Sequence, residues 1–405
     1  MPLSQQKFVL SKSPPIIHFC TMALTIITQP SILVLAKQPV VFNVHSDITE
    51  RPLRIVGGVV GIGGDSIQAD SARNASFDFS DYLKNVVTQK GKTGSQPQAY
   101  SEVPLPVWFT FDELVGNPPV ARPPLENSAF LLLDAYVPKP IRKHFYFHYA
   151  NLLAYLKESK SCLTWWPVDE EKKVLPWQME CLNYLQVFSP DPITITLDLT
   201  LVFSDGTQSN RGAIFTISNV PYLKLVYFPT GYSQLGIEAL AAQYPEKELL
   251  GYFVSINYGP PNHSEPISCA YRYSVDFSYY EKPRILVFKN PFGLHEYLLC
   301  TGANQQDNTI KFESAVTEGK TVPDKLTWKL TKSDVVKTNT GFLKAKQILW
   351  LSDLLETTES FELIDDAMHP IVFKDVELPV VHTGDFIYSA ELEYEYTYQE
   401  YIEQA

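Results

Sequence analysis

The clearest pattern in the chain is a period of two. Ile193, Ile195, Leu197, Leu199, Leu201 and Phe203 alternate with Thr194, Thr196, Asp198, Thr200, Val202 and Ser204. Successive side chains of a strand point to opposite faces, so the run predicts a strand with one face in a core and the other mostly wet. Asp205-Gly206 follows, a preferred hairpin turn because glycine accepts positive φ, and Ala213 to Ile217 is the expected return strand. Residues 285–288 and 297–300 flank Asn290-Pro291-Phe292-Gly293, which reads as the turn of a second hairpin. Further strands are expected at 24–27, 40–44, 271–279 and 326–331. The last runs over 388–398, with Tyr388, Ala390, Leu392, Tyr394, Tyr396 and Tyr398 opposite Ser389, Glu391, Glu393, Glu395 and Thr397.

Helical spacing occurs in two places. A short helix is predicted around 234–243, stopped before Pro245. A longer one is predicted over 341–356, where Phe342, Ala345, Ile348, Leu349, Leu351, Ser352 and Leu355 form a stripe, with Thr338, Asn339 or Thr340 as caps. The expected fold is therefore mainly β, with two or three serial β-sandwich-like domains, the last carrying one packed helix. The glycine-rich 57–64 stretch and the polar residues up to 101 read as loop. Six prolines between 104 and 124 remove backbone donors and stiffen the chain, which suggests a boundary near 125. The expected divisions are an arm at 1–21, a first domain at 22–125 with the Gly-rich loop, a second at 126–232 and a third at 233–405.

Composition changes the picture in three ways. A length of 405 residues against roughly 150 per domain agrees with more than one core. The formal net charge of −12 supplies no electrostatic footprint for nucleic acid. Only 19% of residues are charged, against about 25% in ordinary domains, while 23 Tyr, 23 Phe and 6 Trp remain to be placed. A surface poor in charge and rich in aromatics suits contacts with other proteins. Five cysteines (Cys20, Cys162, Cys181, Cys269 and Cys300) form neither a CxxC pair nor a regular framework, and are expected to be reduced. No stretch reaches the 18 or so apolar residues of a membrane span, and Ser11, Ser13, Pro14-Pro15 and His18 interrupt the start of the chain as no signal peptide would be.

Candidate chemistry is sparse. Gly91-Lys92-Thr93 resembles the end of a phosphate-binding loop, but the glycine that loop needs is replaced by Val86. Gly231 to Gly236 misses the nucleophile-elbow spacing by one residue. His144 and His148 lie in Lys-His-Phe-Tyr-Phe-His-Tyr, which reads as strand and would place both on one face with Tyr146; zinc would need a third donor that is not spelled nearby. Glu391, Glu393 and Glu395 read as a solvated acidic face, and Asp365-Asp366 as a turn. No catalytic, metal or cofactor residues are assigned. Trp165, Trp166 and Trp177 are the candidates for stacking on sugar rings or for packing in a core or interface.

Several local sequences nevertheless occur in a familiar combination. They are Leu24-Thr25-Ile26 through Gln38 to Phe42, the strand from Leu199 that ends in Ser204-Asp205-Gly206-Thr207, and Phe288-Lys289-Asn290-Pro291-Phe292-Gly293-Leu294-His295-Glu296 before Thr301-Gly302. The run Thr340-Gly341-Phe342 to Leu355, closed by Asp385 to Tyr398, belongs with them. Over about residues 22–400 the chain resembles the β-rich virion proteins of tail modules in tailed bacteriophages and prophages. The resemblance implies a non-enzymatic structural component of a phage particle, at the tail or its tip, with no cofactor. It further implies copies of itself and other virion proteins as partners, and location in the virion after assembly in the host cytoplasm. The 57–101 and 104–124 segments would serve as assembly contacts. The alternatives are a carbohydrate- or cell-surface-binding module, motivated by the tryptophans and tyrosine-rich strands, with a host surface glycan as partner, and, behind it, a glycoside hydrolase, which would need two carboxyls about 5–10 Å apart in a cleft.

Overall fold

A computed structural model of the chain describes residues 24–49, 51–86, 92, 94–101, 103–116, 120–121, 125–126, 129–259, 265–316, 325–357, 359–365, 367–380 and 387–397. The arm at 1–21, Cys20, Gly91, Thr93 and Asp366 lie outside them. The fold is mainly β, with several sheets and few helices. No described helix is long and apolar enough to cross a membrane. By backbone proximity the chain gathers into two compact units: Met1–Gln29, Val41–Asp78 and Trp108–Ser128 form one, and Pro30–Val40, Phe79–Val107 and Ala129–Ala405 the other.

In the first unit, Val41–Ser46 pairs antiparallel with Leu24–Thr28 on one side and Asn74–Asp78 on the other. A second sheet places Leu53–Val59 between Gly63–Gln68 and Phe109–Val115. Phe42 and Phe77 from the first sheet meet Phe109 and Phe111 from the second. The Phe42 ring centroid lies 4.6 Å from Phe109 and 5.3 Å from Phe111, and Phe77 lies 5.6 Å from Phe111. All four are buried, so aromatic packing between the two faces makes this core. Of the glycines at 57–64, expected as loop, Gly57, Gly58, Gly63 and Gly64 are instead strand residues of a hairpin, and only Gly61, at φ +77°, lies in its turn. The reason is local space: a Cβ on Gly57 would come within 2.8 Å of the Phe77 ring, and one on Gly64 within 2.3 Å of the Gly57 carbonyl. Their lack of a side chain permits close approach of ring and backbone.

In the second unit, Ile193–Phe203 is central to a six-stranded sheet, between Gln208–Val220 and Leu249–Tyr258. The Asp205-Gly206 turn is present: Gly206 has φ +79° and the Asp205 carboxylate accepts from Thr207 N at 2.9 Å. The wet face is not. Thr196 and Thr200 are buried, and Asp198 is satisfied by Thr196 Oγ1 at 3.0 Å and Asn257 Nδ2 at 2.7 Å. Thr194, Asp198 and Val202 on the same face are half-buried, so the face is partly covered, and hydrogen bonds replace water at Asp198.

A seven-stranded sheet runs in the order His295–Cys300, Arg284–Lys289, Ser360–Ile364, Ala367–Glu377, Glu391–Tyr396, Lys325–Asn339, Asn304–Val316. Its first hairpin is the one expected from the sequence. Asn290 Oδ1 accepts from the backbone N–H of Phe292 and Leu294, both at 3.0 Å, and Gly293 has φ +72°. The segment Phe130–Leu133 pairs with both Leu33–Leu35 and Leu105–Val107, so chain beyond the expected boundary near 125 returns to strands that precede it.

Helices depart most from expectation. The 341–356 helix begins only at Ala345, runs to Leu351 and continues as a 3-10 turn over Ser352–Glu356. Gly341 at φ +73° and a two-way backbone bridge between Leu343 and Tyr388, 2.8 Å each way, hold the preceding residues out of the helix. Lys344, not Thr338, Asn339 or Thr340, stands at its start. Ile348, Trp350, Leu351 and Leu354 face the core, while Leu349 and Leu355 face outward and Phe342 is 86% exposed. The 234–243 helix is confined to Ile237–Ala241 after Gly236 at φ +63°. The stretch 143–149, read as strand, falls instead within and just after a helix over Lys139–His148, followed by a second over Leu152–Ser159. Alternating aromatics in 144–149 suggest a strand, but packing of Phe145 among Tyr149, Tyr155 and Trp165 decides for the helix.

Candidate functional site

The three tryptophans singled out from the sequence do not form one platform. Trp165 packs with its ring stacked on Phe292 at 5.0 Å and against Tyr155 at 5.4 Å. Trp166 is buried edge-on to Trp350 at 4.8 Å. Trp177 is 53% exposed.

Behind Trp166 lies a buried cluster of charges. Lys172 Nζ sits over the rings of Trp166 and Trp350, 5.4 and 5.5 Å from their centroids, and pairs with Glu180 at 2.9 Å. Gln178 Nε2 donates to the other oxygen of Glu180 at 2.8 Å. On the far side of Trp350, its indole N–H donates to Glu296, whose second oxygen accepts from Asn290 Nδ2 at 2.7 Å. Burial pushes the Glu180 carboxyl up to about 7 against the opposing pull of Lys172 and Gln178. Burial also raises Asp353, with Glu296 and Glu356 nearby adding to the effect. The adjoining cavity, lined by Trp166, Lys172, Asn183 and Glu296, measures about 20 Å³. That is room for one water molecule. The cluster can hold a proton and pin the Ala345–Leu351 helix to the sheet, and a wider cavity of about 630 Å³, bordered by Trp166, Lys172, Gln347 and Trp350, opens beside it.

Trp177 borders a different feature, an open groove of about 1380 Å³ at one end of the seven-stranded sheet. Arg284 and Glu362 lie on it and are tied together: Arg284 Nη1 donates to Glu362 Oε1 at 2.5 Å, and Tyr394 and Tyr396 donate to Glu362 Oε2 at 2.8 and 2.5 Å. Burial together with the neighbouring Glu362 raises both tyrosine hydroxyls.

Other sequence candidates find ordinary roles. His148 is exposed at the end of its helix, in ring contact with Phe147 and Tyr149. Glu393 and Glu395 make cross-strand ion pairs with Lys337 at 3.2 Å and Lys374 at 2.6 Å. Asp365 occupies a turn at φ +48°. Ser233 lies on the Trp177 groove, and the Gly231 N–H donates to Gln234 Oε1 at 2.9 Å. Among the described residues, no three His, Cys, Asp or Glu side chains are grouped as a metal site would need. Cys162, Cys181, Cys269 and Cys300 are free thiols, and burial pushes Cys300 up to about 12. The buried pairs Arg284–Glu362 and Lys289–Asp134, the second at 3.0 Å, leave no trace in the sequence because their members stand far apart along the chain.

No protein-family model and no curated protein matches the chain. Its structural neighbours include particle chains of gene transfer agents. One, titled "Tail of empty GTA particle computed with helical refinement, C6 symmetry", is 14% identical, covers 27% of this chain and 87% of its own, and has a TM-score of 0.19. Another, "Virion of native gene transfer agent (GTA) particle", is 14% identical, covers 30% of this chain and 95% of its own, and has the same score. A likeness of that size carries no weight in the argument that follows.

Proposed function

We propose that the protein is a non-enzymatic structural component of a phage particle, placed at the tail or its tip and working by assembly with copies of itself and other virion proteins. One observation carries the reading. The strands Asn304–Val316 and Lys325–Asn339 form a hairpin, but only Val335 to Asn339 has a second neighbour, Glu391–Tyr396. From Asn308 paired with Asp334 out to Val316 paired with Lys325, the described residues provide no third strand on either side. At about 3.3 Å per residue this is a two-stranded ribbon roughly 30 Å long.

A ribbon with both edges open is a template for strand addition, and an isolated hairpin is marginal in water. The register pairs Phe312 with Leu330 and Glu313 with Lys329, so apolar and charged pairs alternate along the ribbon, an amphipathic pattern. A neighbouring subunit that covers the apolar face or extends an edge would satisfy both needs. The low charge and many aromatics of the whole chain agree with such a role.

The test is light scattering after size exclusion, with negative-stain imaging, on the full chain and on a variant in which residues 308–334 are replaced by a two-residue turn. The full chain is expected to form a defined oligomer, and the shortened one a folded monomer with native circular dichroism elsewhere. A full chain that stays monomeric at all concentrations, or an oligomer unchanged by the deletion, overturns the reading.

A further inference from the structure

The groove beside Trp177 takes no part in that assembly argument, and its chemistry is specific. One wall is the Trp177 indole, half in solvent, with no aromatic ring of the described residues packed on it. Met179, Leu363 and Met368 add an apolar floor. The charges that line it sum to none: Arg284 is bonded to Glu362, and Lys282 and Asp365 add one of each sign. An anion or cation therefore gains little there over its hydration. Uncharged donors and acceptors remain. The hydroxyls of Ser95 and Ser233 are exposed on the groove, and Gln306, which accepts from Arg284 Nη2 at 3.4 Å through its oxygen, keeps its amide N–H groups.

A flat apolar face beside uncharged hydrogen-bonding groups, in an open trough rather than a closed pocket, matches one ligand chemistry. A pyranose ring offers a C–H face to the indole and hydroxyls at its rim, and a chain of such rings fills a trough. We propose that this groove binds a neutral oligosaccharide, with Trp177 as the stacking surface and Ser95, Ser233 and Gln306 as partners of its hydroxyls. Of these residues only Gln306 lies on the ribbon's strand, two positions before the stretch 308–334, so removal of that stretch is expected to leave sugar binding in place.

The experiment is titration calorimetry of the full chain with maltohexaose, cellohexaose, mannohexaose and hexa-N-acetylchitohexaose, repeated on Trp177→Ala, Trp177→Phe and Trp108→Ala. Trp108 is an exposed tryptophan of the other unit and serves as control. At least one hexaose is expected to bind; Trp177→Ala should weaken it by about tenfold or more, Trp177→Phe by less, and Trp108→Ala by under about twofold. Circular dichroism verifies that each variant is folded. Absence of heat with every hexaose at about 10 mM, or binding unchanged in Trp177→Ala, overturns the proposal. Loss of self-association rather than of sugar binding in Trp177→Ala also overturns it, and assigns the groove to a subunit contact.

Discussion

Trp350 and Trp177 belong to the same unit and have opposite environments. Trp350 is buried, with Trp166 edge-on to its ring, Lys172 over its face and Glu296 accepting its N–H. Trp177 stands half in water at the edge of a groove. The first environment uses every bonding capacity of the indole to fix a helix on a sheet. The second leaves about half of the largest apolar side chain uncovered, with no ring of the described residues packed on it. Tryptophan content alone therefore says little about binding; what matters is whether the fold consumes the ring.

The comparison can be broken by substitution. Trp350→Ala is expected to destabilise the second unit by about 3–5 kcal/mol, since it removes a large buried ring and leaves one oxygen of Glu296 without its donor. Urea unfolding followed by circular dichroism measures it, and a loss under about 1 kcal/mol would show that the ring is not a tie between helix and sheet. Lys172→Met leaves Glu180 buried without its cation, at an expected cost of about 3 kcal/mol at pH 8. That cost should shrink below pH 7, where the raised carboxyl takes up a proton.

Glu180 also sets a pH dependence whose sign follows from the direction of its shift. Its folded value, about 7, lies above the ordinary 4.5, so the folded state holds the proton more tightly than the unfolded chain does. Its contribution is fully present below about pH 4.5 and is lost as pH rises through 7. Glu180→Gln removes the ionisation. The unfolding free energy of the native chain relative to this variant should therefore fall by up to about 3 kcal/mol between pH 4.5 and pH 8. Asp353 shifts in the same direction in both proteins and cancels in the difference. A flat difference would mean that Glu180 is ionised throughout. The smallest effect is expected at Trp177: replacement by Ala should change stability by no more than about 0.5 kcal/mol in the same urea assay. A larger loss would make it a packing residue like Trp350 and remove the contrast.

The two hairpins were legible because their turns are local chemistry. Asp205 bonds the backbone two residues on and Gly206 takes the positive φ; Asn290 and Gly293 do the same for the other turn. The start of the helix was not legible, because what stops it short is Tyr388, a bridge partner far along the chain. The glycines at 57–64 could not be told from a loop, since the Phe77 ring that requires Gly57 arrives from another strand. The helix over 139–148 was hidden by aromatics that favour strands in isolation.

By itself, the order of residues determined the β character, the main strands and the turns that reverse them, because periodicity and turn geometry are properties of a few neighbouring residues. Tertiary structure alone decided which polar groups are paired out of water, which tryptophan is left at the surface and which strands lack a neighbour. Each of these depends on what comes within about 4 Å across the fold, and residues brought together there, such as Trp350 and Glu296 or Arg284 and Glu362, are strangers in sequence.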